Sequence, residues 1–266
     1  MKAKPLFRFL YLALAILASL LIFTWPLYIS ASAQSEAQFA QVVFLFLMPT
    51  ILILTVNEYS SGKVDSRQLA MLGVLTALNA LIRMLGAGVA GVETSFFLII
   101  ISAYVFGPGF GFLMGALSLL VSGLITGGVG PWLPFQMMAA ALIGVGAGLL
   151  PKTKRIWLQV ILLIFFGAIA SFIYGALMTM WNWPFLAGVG SDVSYLAGAG
   201  PIENMTRFLQ YEILTGGLLW DAGRAITTIT LIIVTGPALL TTLRRAANRA
   251  GIETVGLEKR QSHKRL

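Results

Sequence analysis

Long apolar runs, separated by short polar stretches, dominate the chain. They cover residues 9–29, 39–56, 69–85, 94–106, 110–126, 133–150, 156–180 and 214–243. Within each run the apolar positions are continuous and do not alternate with polar ones, which predicts helices rather than strands. Several runs approach or pass the roughly 18–20 residues that a helix needs to cross a bilayer. In hydrocarbon every backbone polar group must be satisfied internally, and helices achieve this within one segment. The pattern therefore predicts an all-α polytopic membrane bundle of eight spans. The polar stretch 57–68 separates the first two from the rest, so the expected organisation is an N-terminal pair with linker (1–66), a six-helix core (67–245) and a basic tail (246–266).

The most informative stretch is 107–136. An apolar helix, 110–126, lies between two glycine–proline corners, Gly107-Pro108-Gly109 and Gly127-Gly128-Val129-Gly130-Pro131, the second running into Trp132, Pro134 and Gln136. Proline suits a first helical turn and cannot donate into the ladder, so each corner ends one helix and starts another. Gly111, Gly115, Ala116, Ser118 and Ser122 line the helix with small residues. Such residues let helices approach closely in lipid, where packing drives association, so this helix is expected to be central.

Composition agrees with a membrane chain. Of 266 residues, 58% are hydrophobic and 11% charged, with a mean hydropathy of +0.88; an ordinary soluble domain is about a quarter charged. There is no cysteine and one histidine, His263 in the charged tail, which excludes disulfides and thiolate metal sites and argues against a histidine base. No phosphate-cradling GxxxxGK[ST], no HExxH and no Ser-His-Asp set occurs, so neither an intrinsic ATPase nor a hydrolytic centre is indicated, and no cofactor or metal is expected.

Charge distribution sets the expected topology. With the N-terminus inside, the cytoplasmic segments collect 15 of the 18 basic residues. That satisfies the positive-inside rule with both termini in the cytoplasm, and accounts for the net charge of +8 without nucleic acid. Ala31-x-Ala33 resembles a signal-peptidase site, but the preceding apolar run exceeds the usual signal core, which favours a retained span. Arg83, Arg207 and Arg224 are the basic residues left for the outer side. Glu36, Glu93, Asp192, Glu203, Glu212 and Asp221 join them there, with the long and mostly polar segment 181–212.

Charge in or near a span is costly and marks either a pathway or a paired site. Asp221 precedes Arg224 by three residues on one helical face, after Trp220; the pair reads equally as a cavity wall or as a structural ion pair. Arg83 and Glu93 face each other across a tight loop and carry the same two readings. Asn79 lies one turn before Arg83, and Trp132 and Gln136 sit at the proline corner, where the fixed backbone favours a cavity role. Trp181 and Trp183 are accounted for by the aromatic belt of any membrane protein. On the third span Ala70, Gly73 and Ala77 share a face, a small-residue seam that serves either docking or packing within the bundle.

Residues 68–243 resemble the substrate-binding membrane component (S component) of energy-coupling factor (ECF) transporters, which import vitamins. Three stretches carry the resemblance: Ala70 to Ala80 with Arg83-Met84-Leu85-Gly86; Val105 to Gly115; and Gly128-Val129-Gly130-Pro131-Trp132-Leu133-Pro134-Phe135-Gln136-Met137, running on to Gly148. The resemblance implies a six-helix core, to which the first two spans are an addition. It also implies a vitamin-like ligand held in an outward cavity, with Asn79, Arg83, Glu93, Trp132, Gln136, Trp220, Asp221 and Arg224 as the candidate binding residues. The loops 86–93 and 127–132 and the segment 181–212 would close over it. Docking through Ala70, Gly73 and Ala77 onto a transmembrane coupling subunit with two ATPases would deliver the ligand inward, so the chain itself would be no enzyme. Among vitamins the resemblance favours cobalamin, with thiamine-related and pantothenate-like ligands open.

The competing reading is a polytopic protein that transports nothing, such as an assembly factor or a lipid-acting enzyme. It lacks the clustered acid, base or metal site that lipid chemistry needs, and leaves the small-residue seam unexplained. A stand-alone carrier would show internal symmetry between two halves, which is not evident here.

Overall fold

The computed structural model describes residues 16–28, 42, 46, 50, 53, 66–86, 91–186 and 192–252. Every regular element among them is helical. Residues 16–23 are helical and run into a 3-10 turn, Trp25–Leu27. The rest of the expected N-terminal pair, the expected linker up to residue 65, residues 87–90 of the expected loop and the tail from residue 253 fall outside the described residues, apart from single helical positions; Ser66 to Gln68, read as the end of the linker, belong to the first core helix. The core helices are α1 (Ser66–Gly86), α2 (Phe96–Phe106), α3 (Pro108–Thr126), α4 (Leu133–Leu149), α5 (Ile156–Leu186), α6 (Pro201–Leu214) and α7 (Gly217–Ala250). Of these α1, α3, α5 (to Phe185) and α7 are long and apolar enough to cross a membrane, while α2 and α4 are shorter.

The glycine–proline corners behave as their chemistry requires. Gly107 (φ 98°) separates α2 from α3, with Pro108 in the first turn of α3. Gly127 (φ 68°) closes α3 in the left-handed conformation that only glycine adopts without strain. The small residues of α3 are spent on α4. A Cβ on Gly111 would run into the Gly144 backbone, one on Gly115 into the Ala140 backbone, and one on Gly148 into Pro108. The two backbones therefore touch, with dispersion contacts replacing the hydrophobic drive that lipid cannot supply.

The centre of the bundle is α2, all eleven residues of which are buried; it contacts α3, α4, α5 and α7. It spans only 11 residues against 19 in α3 and 21 in α1. The chain ahead of it is correspondingly drawn in between the longer helices: Ser95 is fully buried. Non-helical backbone at that depth is tolerated because protein covers it. By contrast α1 packs mainly on α3, with most of its residues exposed.

Three elements differ from the sequence expectation. The last helix, α7, runs on to Ala250, past the expected span end at 243 and into the stretch read as tail. The fifth helix continues past residue 180 to Leu186, with Pro184 inside it. The segment read as a long polar loop contains α6, started by Pro201. All three extend helical structure into stretches where polar and apolar residues mix, so that no continuous apolar run marks them.

Candidate functional site

The charges segregate to the two ends of the bundle. At one end Lys152, in the turn between α4 and α5, donates to the carbonyls of Tyr104 (2.6 Å) and Gly148 (3.3 Å), so one ammonium caps the C-terminal turns of α2 and α4. It lies over the Tyr104 ring at 3.9 Å. Burial first, then repulsion from Arg244, brings its pKa down to about 8. Arg244 donates to Gln159 (2.8 Å), and Arg67 donates to the Ala250 carbonyl (2.7 Å), joining the start of α1 to the end of α7. Lys154, Arg155, Arg245 and Arg249 belong to the same end by connectivity. All five acidic residues among the described ones lie away from it.

The opposite end is where the candidate residues meet. Arg83 on α1 donates to the Ser122 hydroxyl of α3 (3.0 Å) and lies 3.6 Å from Glu93. Glu93 accepts from the Ser95 hydroxyl (2.8 Å) and backbone amide (3.2 Å), placing its charge at the N-terminus of α2, where the helix dipole favours an anion. On the other side, Arg224 pairs with Asp221 one turn earlier on α7 and donates to the Ser171 carbonyl of α5 (3.3 Å). The Asp221 carboxylate lies directly against Gly175, where a Cβ would displace it. Tyr174 joins the halves. It is close enough to Glu93, Arg83 and Arg224 for their charges to act on it. The Arg224 guanidinium stands 5.1 Å from its ring centre, and the ring meets Phe96 edge-on at 4.8 Å.

Glu212, on α6, is a member that sequence patterning did not single out as a binding residue. It is buried, its carboxylate packs against Gly217, and it lies within the influence of Arg224 and Asp221. Burial raises its pKa, against the opposing effects of the Thr179 hydroxyl bond and then Arg224.

Several polar atoms of this region make no hydrogen bond within the protein. They include both amide atoms of Asn79, the hydroxyls of Thr76 and Ser118, the Nε atoms of Arg83 and Arg224, and Oε1 of Glu212. A buried polar group left unpaired costs about 1–3 kcal/mol. Asn79 and Ser118 lie one turn below the bonded Arg83–Ser122 rung on two helices that run in the same direction. The rung is made; the level beneath it is left open. Polar capacity of this kind suits a guest carrying its own donors and acceptors.

The remaining candidates lie apart from this buried set. Trp132 is 46% exposed and folds back on its own turn, its indole N–H donating to the Gly128 carbonyl at 3.3 Å. Trp220 is 53% exposed, with its backbone against Gly91. Gln136 is partly buried. Next to it Phe135 stacks on Trp181 at 3.9 Å and 7°, and Phe23 meets Phe135 edge-on. Trp25 donates from its indole to the Trp181 carbonyl (2.8 Å) and stacks on Phe185. Trp181 is thus a core residue rather than part of an interfacial belt. The end of the first apolar run is also built into the core. An Ala-x-Ala reading of that run gave no hint of this; its aromatics, Phe23 and Trp25, were the available signal.

Ala70, Gly73 and Ala77 are all exposed, and a Cβ on Gly73 would meet nothing within 4 Å. Among the described residues this seam is not consumed by packing within the bundle.

The fold and its buried polar end define a polytopic helical membrane protein with a candidate solute site between its helices. The family described as ECF transporter, substrate-specific component, matches residues 67–236, and the chain belongs to it. It is therefore a substrate-specific membrane subunit of an ECF importer, a system that includes separate coupling and ATPase subunits. Comparison with curated proteins returned no matching relative.

Proposed function

We propose that this subunit binds a vitamin-like solute among Asn79, Arg83, Glu93, Asp221 and Arg224, with Glu212 and Tyr174 completing the site and Trp132, Gln136 and Trp220 at its rim. The observation that carries the reading is the convergence of α1, α2, α3, α5, α6 and α7 on one buried, mixed-charge cluster whose members retain unbonded polar atoms. Guanidinium groups suit carboxylate or phosphate on a ligand, and the Asn79 amide suits a ligand amide. Cobalamin, which is rich in amides, is the favoured ligand.

The site faces outward in this reading, and the basic end with both chain termini faces the cytoplasm. The segregation of charge supports that orientation through the positive-inside rule. The exposed Ala70–Gly73–Ala77 seam on α1 is the docking face for the coupling subunit, since small residues permit the closest helix–helix approach. Residues 67–245 act as the binding unit, with the N-terminal segment packed on it through Phe23 and Trp25.

Calorimetric titration of the purified protein with cobalamin tests the reading. Stoichiometric binding that weakens at least tenfold in both Arg83→Gln and Arg224→Gln is expected. No heat with cobalamin removes that ligand; binding of any vitamin that neither substitution affects removes the site.

A further inference from the structure

The helix α6 has three distinct sides. Asn204, Phe208 and Glu212 are buried, and Tyr211 lies beside them: this side faces the protein, where Phe208 meets Trp183 at 5.6 Å and Asn204 exchanges two hydrogen bonds of 3.1 Å with the Leu196 backbone. Glu203, Arg207 and Gln210 form a second side. It is polar up to its last residue, the exposed Leu214, and Arg207 is bonded to Glu203 (3.3 Å) and to the Asp192 carbonyl (3.1 Å). The third side is apolar and uncovered: Ile202 is 85%, Leu209 54% and Ile213 64% exposed. These residues follow at seven and then four positions, one stripe of a helix. A helix standing in water above the bundle would not carry such a stripe beside a polar one, with its carboxylate and amide turned inward.

The stripe does not end with α6. Leu218, Leu219 and Trp220 open α7, all exposed, and Leu219 begins a row continued by Ile226 and Ile233. That row belongs to a helix long and apolar enough to span the membrane, so it faces lipid. We propose that α6 is an interfacial helix of the outer leaflet, with Ile202, Leu209 and Ile213 inserted among the acyl chains and Glu203, Arg207 and Gln210 in the headgroup and water layer. The exposed indole of Trp220 lies at the same boundary, where tryptophan is favoured. The segment is thus no free lid over the site. Lipid holds one side of α6 while another side carries Glu212 to the binding cluster, so the bilayer itself sets part of the site's wall. This inference rests on the membrane character of the chain and stands whatever the ligand.

The chain has no cysteine, so single-cysteine variants report without background. Nitroxide labels at Ile202→Cys, Leu209→Cys and Ile213→Cys, and at Glu203→Cys and Gln210→Cys, are measured in phosphatidylcholine–phosphatidylglycerol liposomes. Power saturation compares oxygen with a water-soluble nickel chelate. All five positions are exposed, so labelling leaves the packing intact. Oxygen contact at the three apolar positions is expected to exceed nickel contact at least threefold, with the order reversed at Glu203 and Gln210. Equal nickel contact at all five positions would place α6 in water and overturn the proposal. Labels at the apolar positions shielded from both relaxants would mean that protein, not lipid, covers the stripe, and would overturn it equally.

Discussion

Replacing Asp221 by asparagine separates charge from shape. The side chain keeps its volume against Gly175, so packing is unchanged, and what is lost is the anion beside Arg224. The two side chains are 5% and 15% exposed, which puts the pair in the buried class, where removing one partner costs about 3–5 kcal/mol because the other charge is stranded. Two features moderate this. Asparagine still offers an acceptor, and Glu212 is close enough to act on Arg224. A loss of about 2–3 kcal/mol follows, roughly 5–10 °C in apparent melting temperature for a chain of this size. The assay is thermal unfolding in detergent, followed by tryptophan fluorescence, for Asp221→Asn, Arg224→Gln and the double variant. The double variant is expected to be more stable than the sum of the single losses by about 2 kcal/mol, the signature of a coupled pair. Additivity to within about 0.5 kcal/mol would refute the reasoning, because it would mean that the charges do not sense each other in a desolvated setting.

Three further outcomes are expected. Gly111→Leu, which drives a side chain into the Gly144 backbone, should abolish a monodisperse peak in size-exclusion chromatography, whereas Gly73→Leu should fold normally; Gly73→Leu and Ala77→Trp should instead lose co-purification with the coupling subunit while retaining ligand. Trp25→Ala removes the indole bond to Trp181 and the stack on Phe185 and should cost about 3 kcal/mol, read as a lowered melting temperature; an unchanged value would make the N-terminal segment dispensable. Because the Glu212 carboxyl has its pKa raised in the fold, the folded state binds the extra proton, so this group lowers stability as pH rises through the ordinary carboxylate range and above. Glu212→Gln should therefore melt higher than the parent at pH 7, with the difference closing below about pH 4.

The architecture was largely legible because lipid imposes one simple demand. Continuous apolar runs marked α1 to α5 and α7 to within a few residues at most ends, the exceptions being the far ends of α5 and α7, and Gly107 and Gly127 were found where the chain must turn. Pairing was legible where spacing on one helix fixed it, as for Asp221 and Arg224, or where a short loop did, as for Arg83 and Glu93. What escaped depended on tertiary placement. The α6 sequence alternates polar and apolar residues along the chain because its buried, polar and uncovered apolar sides follow one another around the helix, and a reading tuned to long apolar runs passes over it. Glu212 was hidden with it. Trp132 has a rigid proline setting, yet its ring turns back on Gly128 and Gly130; backbone restriction at a corner does not fix where the side chain points.

The central claim is that the buried cluster of Arg83, Glu93, Asp221 and Arg224 holds a small molecule. Native mass spectrometry of the protein released from membranes of its host tests it most directly, with the parent compared to Arg83→Gln. The parent is expected to carry one vitamin-sized adduct at defined mass, absent from the variant although the variant is folded. An adduct of the same mass and occupancy in both would contradict the account.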